Sequence, residues 1–173
     1  MLTWEICGML FIIVLGSLLH FAFEWSGRWL PLGAVAAVNE SVWEHLKLGF
    51  WPALLYAIIE HPWLGRAPNN FSVAKSAGIC VIPAVIVGLF YSYTAVLGEH
   101  LLAADIAIFV VAVVAGQLVS YRLLRAAPLP RRLNLLAPVA VVLLGIAFVL
   151  FTYHPPALPI FRDSLTGGYG VGG

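Results

Sequence analysis

Residues 4–25 read WEICGMLFIIVLGSLLHFAFEW, an apolar segment whose charged residues, Glu5 and Glu24, lie near its two ends. About 20 mainly apolar residues suffice for a helix to cross the hydrocarbon core of a membrane, so this segment predicts a transmembrane helix. The residues before it include no lysine or arginine, and no small-x-small cleavage site follows it. We therefore interpret it as a retained first helix and not as a cleaved signal peptide.

Four further segments have the same apolar character, at residues 39–61, 72–97, 100–124 and 133–153. Pro52, Pro83 and Pro138 fall inside them, which transmembrane helices tolerate because neighbouring groups can satisfy the freed carbonyls. The sequence thus predicts an all-α integral membrane bundle of about five transmembrane helices, forming a single domain over residues 1–173 with a tail at 154–173.

Composition excludes a soluble domain. Hydrophobic residues make up 62% of the chain and charged residues 10%, whereas soluble domains have roughly 45–50% and about 25%. The formal net charge of +1, with no clustered basic face, excludes a nucleic-acid-binding protein. The lipid bilayer is therefore the expected partner. Cys7 and Cys80 lie inside apolar runs, so neither a structural disulfide nor a CxxC metal site is expected.

Basic residues predict the orientation of the bundle. Six of them lie in or flank the predicted loops on one side: Arg66, Lys75, Arg122, Arg125, Arg131 and Arg132. The opposite side has Arg28 and Arg162. Because basic loops stay in the cytoplasm, we expect a cytoplasmic N-terminus and an external C-terminal tail.

Ionisable and polar side chains gather at the predicted outer ends of the helices. Charged groups at the centre of a membrane cost roughly 2.5–3.5 kcal/mol each on insertion scales, so they usually mark function. The outer residues are His20 and Glu24 on the first helix, Asn39, Glu40, Glu44, His45 and Lys47 on the second, Tyr91 and Tyr93 on the third, and Asp105 on the fourth.

Histidine and carboxylate side chains in one place are suitable ligands for zinc, manganese or iron. His20 and Glu24 are four residues apart and so share a helix face, and Glu40 and Glu44 would repel each other at the same spacing unless a proton, a cation or Lys47 compensates. We therefore predict a divalent metal held by residues from the set His20, Glu24, Glu40, Glu44 and His45. The candidate acid/base residues are Glu44, His45 and Asp105.

Structural interpretations compete with this one. Asn39 is a good helix N-cap, and Glu40 would be favoured at the positive end of the helix. Glu44 and Lys47 could form a simple ion pair, and Tyr91 and Tyr93 fit an aromatic belt at the membrane interface.

The tail also carries a prediction. Pro155, Pro156 and Pro159 stiffen it, and its apolar residues would be wasted on a free chain. We expect it to fold back over the outer mouth and bring Arg162 and Asp163 near the polar cluster, the alternative being a disordered tail.

Small residues recur every four positions on the fourth segment, at Ala112, Gly116 and Ser120. Such a stripe lets two helix backbones approach closely. It predicts packing within the chain or, alternatively, a homo-oligomer through this face.

Residues 39–48, NESVWEHLKL, resemble the hallmark string of a small membrane family of bacteria and archaea, catalogued as domain of unknown function 6512. His20, Glu24 and Trp25, and in the tail Pro155-Pro156, Phe161-Arg162-Asp163 and Tyr169-Gly170, are similar to its pattern as well. The resemblance implies a small multi-helix protein of the bacterial or archaeal cytoplasmic membrane and brings no activity with it.

A weaker resemblance is to the progestin/adiponectin-receptor and alkaline-ceramidase group, membrane hydrolases with a buried zinc. Trp43-Glu44-His45 is comparable to the Trp-Thr-His of that group. The sequence departs from the group in having Ser41 where its pattern has Asn, five predicted helices where it has seven, and no late histidine pair.

Three functional hypotheses follow. The first is a metal-dependent membrane hydrolase acting on a lipid-like substrate. The second is a small transporter or ion-translocating protein, with Lys47 as a gating charge, and the third is an accessory or sensor subunit. The inner halves of the helices are expected to hold few polar residues beyond Gln117, Ser120 and Tyr121, which favours a one-sided site over a conduit.

Overall fold

The computed structural model describes residues 1–64 and 70–172, and within them it has five α-helices and no named strand. The helices are α1 (Leu2–Trp25), α2 (Val42–Leu64), α3 (Phe71–Leu97), α4 (Leu102–Arg125) and α5 (Arg131–Tyr153). The prediction of an all-α five-helix bundle is confirmed. Helices α1, α3, α4 and α5 are long and apolar enough to cross a membrane. Helix α2 packs against α1, α3 and α5, and these neighbours shield its charged residues Glu44, Lys47 and Glu60.

Successive helices run in opposite directions, so the bundle has two ends. Helices α1, α3 and α5 begin at what we call the amino-terminal end, where α2 and α4 finish. The other end, where α5 passes into the C-terminal tail, is called the tail end. An apolar core that includes Ile12, Phe50, Ile82 and Val113 lies between the two ends.

Large apolar side chains also cover the outside of the bundle. Leu10, Val14 and Leu18 are exposed along α1, and Leu136 and Leu143 are exposed along α5. Such a surface would be unfavourable in water and suits contact with lipid. The prediction of an integral membrane protein in contact with the bilayer is therefore supported.

Helix α2 begins at Val42, after a loop that contains Asn39 and Glu40. The Ser41 hydroxyl accepts a hydrogen bond from the Glu44 N–H (3.4 Å), and the Asn39 side-chain oxygen accepts one from the Ser41 N–H (2.9 Å). Ser41 thus caps the helix, and Asn39, which the sequence suggested as the cap, stabilises the turn before it. Glu40 consequently lies outside the helix that contains Glu44.

The small-residue stripe of α4 packs within the chain. A Cβ atom added to Gly116 would lie 2.7 Å from the Gly78 carbonyl oxygen of α3, so only glycine allows this approach. Ala112 and Ser120 on the same face are buried. A second copy of the chain could not use this face without displacing α3.

The C-terminal tail folds back over the tail end, as predicted. Phe161 packs against Trp43 of α2 and Phe151 of α5, with ring centroids 4.8 and 5.5 Å apart. The Asn39 side-chain amide donates a hydrogen bond to the Gly170 carbonyl (3.0 Å). The apolar residues of the tail therefore serve to fix it on the bundle.

The charge pattern behind the predicted orientation changes in one respect. Arg122, Arg125, Arg131 and Arg132 lie at the amino-terminal end, near the end of α4 and the start of α5. Lys75, which was counted among the basic residues flanking a loop, is buried and forms ion pairs, and Arg66 lies outside the described residues. The four arginines still indicate a cytoplasmic amino-terminal end, and the orientation stays a prediction.

Candidate metal centre

Three potential metal ligands meet at the tail end, brought together from α1, the loop before α2, and α2. The Nε2 atoms of His20 and His45 are 3.3 Å apart. Glu40 Oε2 is 3.3 Å from His45 Nε2 and 3.7 Å from His20 Nε2. Within the described residues, this is the group of histidine and acidic side chains that could hold a metal ion.

The spacing of the three donor atoms matches a tetrahedral ion. Zinc binds nitrogen and oxygen ligands at about 2.0–2.2 Å, so two ligands at the tetrahedral angle are about 3.3–3.6 Å apart. The three edges of the triangle, at 3.3, 3.3 and 3.7 Å, fit these values almost without adjustment. Three protein ligands leave a fourth position free, as in catalytic zinc sites.

The orientation of His45 prepares its Nε2 atom for a ligand role. His45 Nδ1 lies 2.8 Å from the Ser41 carbonyl oxygen, which can only accept a hydrogen bond, so Nδ1 carries the proton. In the neutral ring, the Nε2 lone pair then faces the Glu40 carboxylate. His45 Nε2 and Glu40 Oε2 are then both acceptors, and at 3.3 Å from each other they need a proton or a metal ion between them. Metal-bound histidines are commonly held by such a contact from the second nitrogen.

The tail holds Glu40 in place through its backbone. The Glu40 N–H donates a hydrogen bond to Asp163 Oδ1 (3.2 Å), and the Ser164 hydroxyl donates one to the Glu40 carbonyl (3.1 Å). The Asp163 carboxylate also accepts bonds from the Leu165 N–H (3.2 Å) and from the hydroxyl of Thr166 (2.6 Å). Burial raises the pKa of Asp163, but these donors outweigh it and the pKa is below its usual range.

The electrostatics of Glu40 favour its charged form. When His45 is protonated on both ring nitrogens, its imidazolium donates a hydrogen bond to the Glu40 carboxylate and lowers the pKa of Glu40; a protonated His20 adds to the effect, while partial burial opposes both. Glu40 is therefore a carboxylate at neutral pH and available as an anionic ligand.

The three ligands open onto a cavity of about 370 Å³ between α1, α2, α3, α4 and the tail. Its walls are largely apolar, with Leu48, Ile86, Phe90 and Phe109 among the lining residues. The three donor residues thus line a space suited to an apolar group.

A second polar group lies at the start of α4 and also lines this cavity. Asp105 accepts a hydrogen bond from the Tyr93 hydroxyl (2.5 Å) and lies 3.2 Å from His100 Nδ1. The Tyr93 hydroxyl in turn accepts one from the Leu101 N–H (3.1 Å). Asp105 and His100 could accept or donate a proton at this wall, and Tyr93 fixes the aspartate. Tyr91 and Arg162 line the same cavity.

Glu44 and Lys47 lie apart from the metal ligands, in a buried network. Glu44 Oε2 is 2.6 Å from Lys47 Nζ and accepts a hydrogen bond from the Val38 N–H (3.0 Å). Lys47 also donates to the Gly33 carbonyl (2.7 Å) and to the Thr152 hydroxyl oxygen (2.8 Å). This network joins the loop before α2, α2 itself and the end of α5, and it agrees with the ion-pair alternative.

Glu24 is also separate from the three ligands. It is exposed and pairs with Arg28 at 3.8 Å. Of the five predicted metal ligands, the structure brings together His20, Glu40 and His45.

Sequence reasoning missed a further polar cluster, at the amino-terminal end. Glu5, Glu60 and Lys75 are buried together with Ser120, so the expectation that the inner halves hold little beyond Gln117, Ser120 and Tyr121 was wrong. The available signal was that charged residues lie inside predicted spans, where only partners make them tolerable.

The family comparison agrees with this architecture. The profile of a family of unknown function (DUF6512) matches residues 1–171. The chain belongs to this family. No significant match was found among curated proteins or among solved structures. Membership in DUF6512 confirms the resemblance drawn from residues 39–48 and assigns no activity.

Proposed function

We propose that His20, Glu40 and His45 bind a divalent metal ion and that the protein is a metal-dependent membrane hydrolase acting on a lipid-like substrate. The observation that carries the proposal is the triangle of donor atoms, with edges of 3.3, 3.3 and 3.7 Å, facing a largely apolar cavity. Two imidazoles and one carboxylate form the ligand set of several zinc hydrolases, and manganese or iron would also accept it.

A divalent metal in this position would polarise a carbonyl or activate water for hydrolysis. The residues of the chain have distinct parts in the proposed chemistry. His45 is oriented by the Ser41 carbonyl, and Glu40 is positioned by Asp163. Asp105 and His100 at the other wall would transfer protons to or from the reacting group. Glu44 would support the site from its buried network with Lys47.

The cavity suggests the substrate class. Its apolar walls would accept an acyl or similar hydrocarbon chain, and its position at the tail end gives access from the membrane interface. Arg162 is among the lining residues and would favour an anionic or polar headgroup. A lipid-like amphiphile satisfies both features.

Metal analysis of the purified protein, by mass spectrometry and by zinc titration, tests the site. We expect about one bound zinc per chain, and loss of this binding in His45→Ala and in His20→Ala. His154→Ala is the matched control, because His154 is exposed and lies outside the three-ligand group. Failure to bind zinc, or equal binding by His45→Ala, would overturn the metal site.

Hydrolysis of acyl ester and amide lipids in detergent or liposomes tests the reaction. We expect turnover that a chelator abolishes and zinc restores, and that Asp105→Asn reduces by about 10²–10⁴-fold, the usual contribution of general acid–base catalysis. Zinc binding without turnover of any lipid class would contradict the hydrolase while leaving the metal site intact.

Ion translocation is the second candidate, favoured by the buried charges at the amino-terminal end. Zinc or proton flux into proteoliposomes, followed with a fluorescent indicator inside the vesicles, would distinguish it. The apolar core between the two ends favours the hydrolase, because a conduit needs a polar path. Flux that Glu60→Gln abolishes would reverse this preference.

A further inference from the structure

The amino-terminal end holds a buried cluster of three charged side chains from three helices. Lys75 Nζ of α3 is 2.7 Å from Glu5 Oε1 of α1. It is 2.5 Å from Glu60 Oε2 of α2, an ion-pair contact without hydrogen-bond alignment. The Ser120 hydroxyl of α4 donates a hydrogen bond to Glu5 Oε1 (3.1 Å). Glu60 is 0% exposed, Glu5 1% and Lys75 6%.

The charges of this cluster do not balance. Two carboxylates and one ammonium give a net charge of −1 when all three are ionised. Within residues 1–64 and 70–172, neither carboxylate forms an ion pair with a second lysine, arginine or histidine. An isolated buried charge is so costly that a group in that position changes its protonation state instead. One additional positive charge is therefore required here.

Two buried oxygen atoms show where this charge belongs. In the described parts of the chain, Glu5 Oε2 and Glu60 Oε1 are buried without a hydrogen-bond partner. A protonated carboxyl group turns one acceptor into a donor. The proton would neutralise the cluster and give one of these oxygens a hydrogen to donate.

The neighbouring titratable groups do not supply the missing charge. Tyr56 of α2 donates its hydroxyl hydrogen to the Trp4 carbonyl (2.6 Å). Cys7 and the amino terminus of the chain form no ion pair with the cluster in the described residues. Helix α4 contributes the neutral side chains of Gln117 and Ser120, and His61 packs against Phe71.

We propose that Glu5, Glu60 and Lys75 form a proton-binding site. One proton is held by the carboxyl pair at neutral pH, so that the cluster is neutral when occupied and carries a charge of −1 when the proton leaves. This site is separate from the metal ligands and does not depend on the proposed hydrolase.

The polar side chains near the cluster lie at the amino-terminal end of the bundle. A largely apolar groove of about 900 Å³ lies between α2, α3 and α5, and its polar lining residues are Lys75, His61, Ser72 and Ser76. A void of about 10 Å³ beside Tyr56, Lys75, Gln117 and Ser120 has room for about one water molecule. Towards the tail end lies the apolar core. We expect the proton to exchange with the amino-terminal side, because the polar side chains near the cluster lie there.

Infrared spectroscopy of the purified protein tests the proposal. We expect the C=O stretching band of a protonated carboxylic acid at neutral pH, shifted in D₂O. Glu60→Gln and Glu5→Gln should each abolish the band, because Lys75 then balances the single remaining carboxylate and no proton is needed. Glu24→Gln is the control and should retain the band, since Glu24 is exposed. Circular dichroism and size-exclusion chromatography verify that each variant is folded, and either carboxyl variant alone suffices for the test.

Two results would overturn the proposal. The first is the absence of the band from the wild-type protein at neutral pH. The second is a band that persists in a folded Glu5→Gln or Glu60→Gln variant. Recording the wild-type spectrum with and without sodium or potassium ions adds a third criterion. A band that these ions remove would mean that the site takes a metal cation and not specifically a proton.

Discussion

Two buried lysines, one near each end of the bundle, differ in the partners they meet. Lys47 contacts one carboxylate, Glu44, at 2.6 Å, together with the neutral oxygens of Gly33 and Thr152 at 2.7 and 2.8 Å. Lys75 contacts two carboxylates, Glu5 and Glu60, at 2.7 and 2.5 Å. The Lys47 ammonium has three acceptors for its three hydrogens, and one of them is a carboxylate. The Lys75 ammonium faces two carboxylates, so the negative charges outnumber the positive charge.

This difference shows which buried charges indicate function. The Glu44–Lys47 network is neutral, and Glu44 is further satisfied by the Val38 N–H and the Thr152 hydroxyl. It needs nothing from outside and joins α2 to α5 and to the loop before α2. The Glu5–Lys75–Glu60 cluster has one negative charge too many and unpartnered oxygens. Burial alone is thus a poor indicator of function, and an unbalanced charge is a better one.

The largest difference in stability should appear when the same substitution, glutamate to glutamine, is made in each cluster separately. Glu44→Gln leaves Lys47 buried without an anion and should lower the free energy of unfolding by about 3–5 kcal/mol. Glu60→Gln leaves Lys75 paired with Glu5 and should be neutral or stabilising. Unfolding in mixed micelles, followed by circular dichroism, measures both.

A double variant is the control for this comparison. Glu44→Gln combined with Lys47→Met removes both charges and should recover most of the loss, because replacing a buried ion pair is often close to neutral. Equal destabilisation by Glu44→Gln and Glu60→Gln would contradict the distinction between a balanced and an unbalanced cluster.

A smaller effect is expected from zinc binding. Zinc at 100 times its dissociation constant should raise the free energy of unfolding by about 2.7 kcal/mol. His45→Ala should lose this gain, whereas Glu60→Gln should keep it, since the apolar core separates the two ends. A Glu60→Gln variant that no longer responds to zinc would show that the ends are coupled.

The contribution of the tail to the free energy of unfolding should be smaller again, and it should depend on pH. Asp163→Asn removes the charge from several hydrogen bonds and should cost about 1.5–3 kcal/mol at neutral pH. The pKa of Asp163 is lowered in the folded protein, so this stabilisation is complete above the ordinary aspartate value of about 3.9. It is lost as the pH falls through the lower folded value.

Thermal unfolding of the wild-type protein and of Asp163→Asn, measured from neutral to acid pH, checks this dependence. The two melting temperatures should converge in acid. A difference that persists at the lowest pH would mean that Asp163 acts through packing and not through its charge.

The fold was predictable because lipid leaves a backbone few choices. A spanning segment must satisfy its own N–H and C=O groups, so each apolar run of sufficient length becomes a helix. Helix boundaries were less certain. Helix α2 was placed at 39–61 and runs from Val42 to Leu64, because Ser41 and not Asn39 caps it. Hydropathy does not register such side-chain contacts.

The same boundary explains why the candidate site was predicted only in part. Glu40 and Glu44 were expected on one face of a helix, but Glu40 lies in the loop and turns to the histidines, whereas Glu44 turns to Lys47. Lys75 was interpreted as a charge flanking a loop, because sequence spacing cannot show that α1 and α2 each bring a carboxylate to it. Contacts between distant segments decide both cases.

The smallest effect is expected at Glu24, which the sequence also predicted as a ligand and which is exposed beside Arg28. Glu24→Gln should change the free energy of unfolding by less than about 0.5 kcal/mol, as is usual for surface substitutions. Zinc titration of Glu24→Gln should give the same affinity as the wild-type protein. Glu40→Gln is the same chemical change in the loop before α2, and it should remove an anionic ligand and abolish tight zinc binding. If Glu24→Gln weakened zinc binding as much as Glu40→Gln, the end of α1 would have to turn towards His20 when the metal binds, and the ligand set would then include both carboxylates.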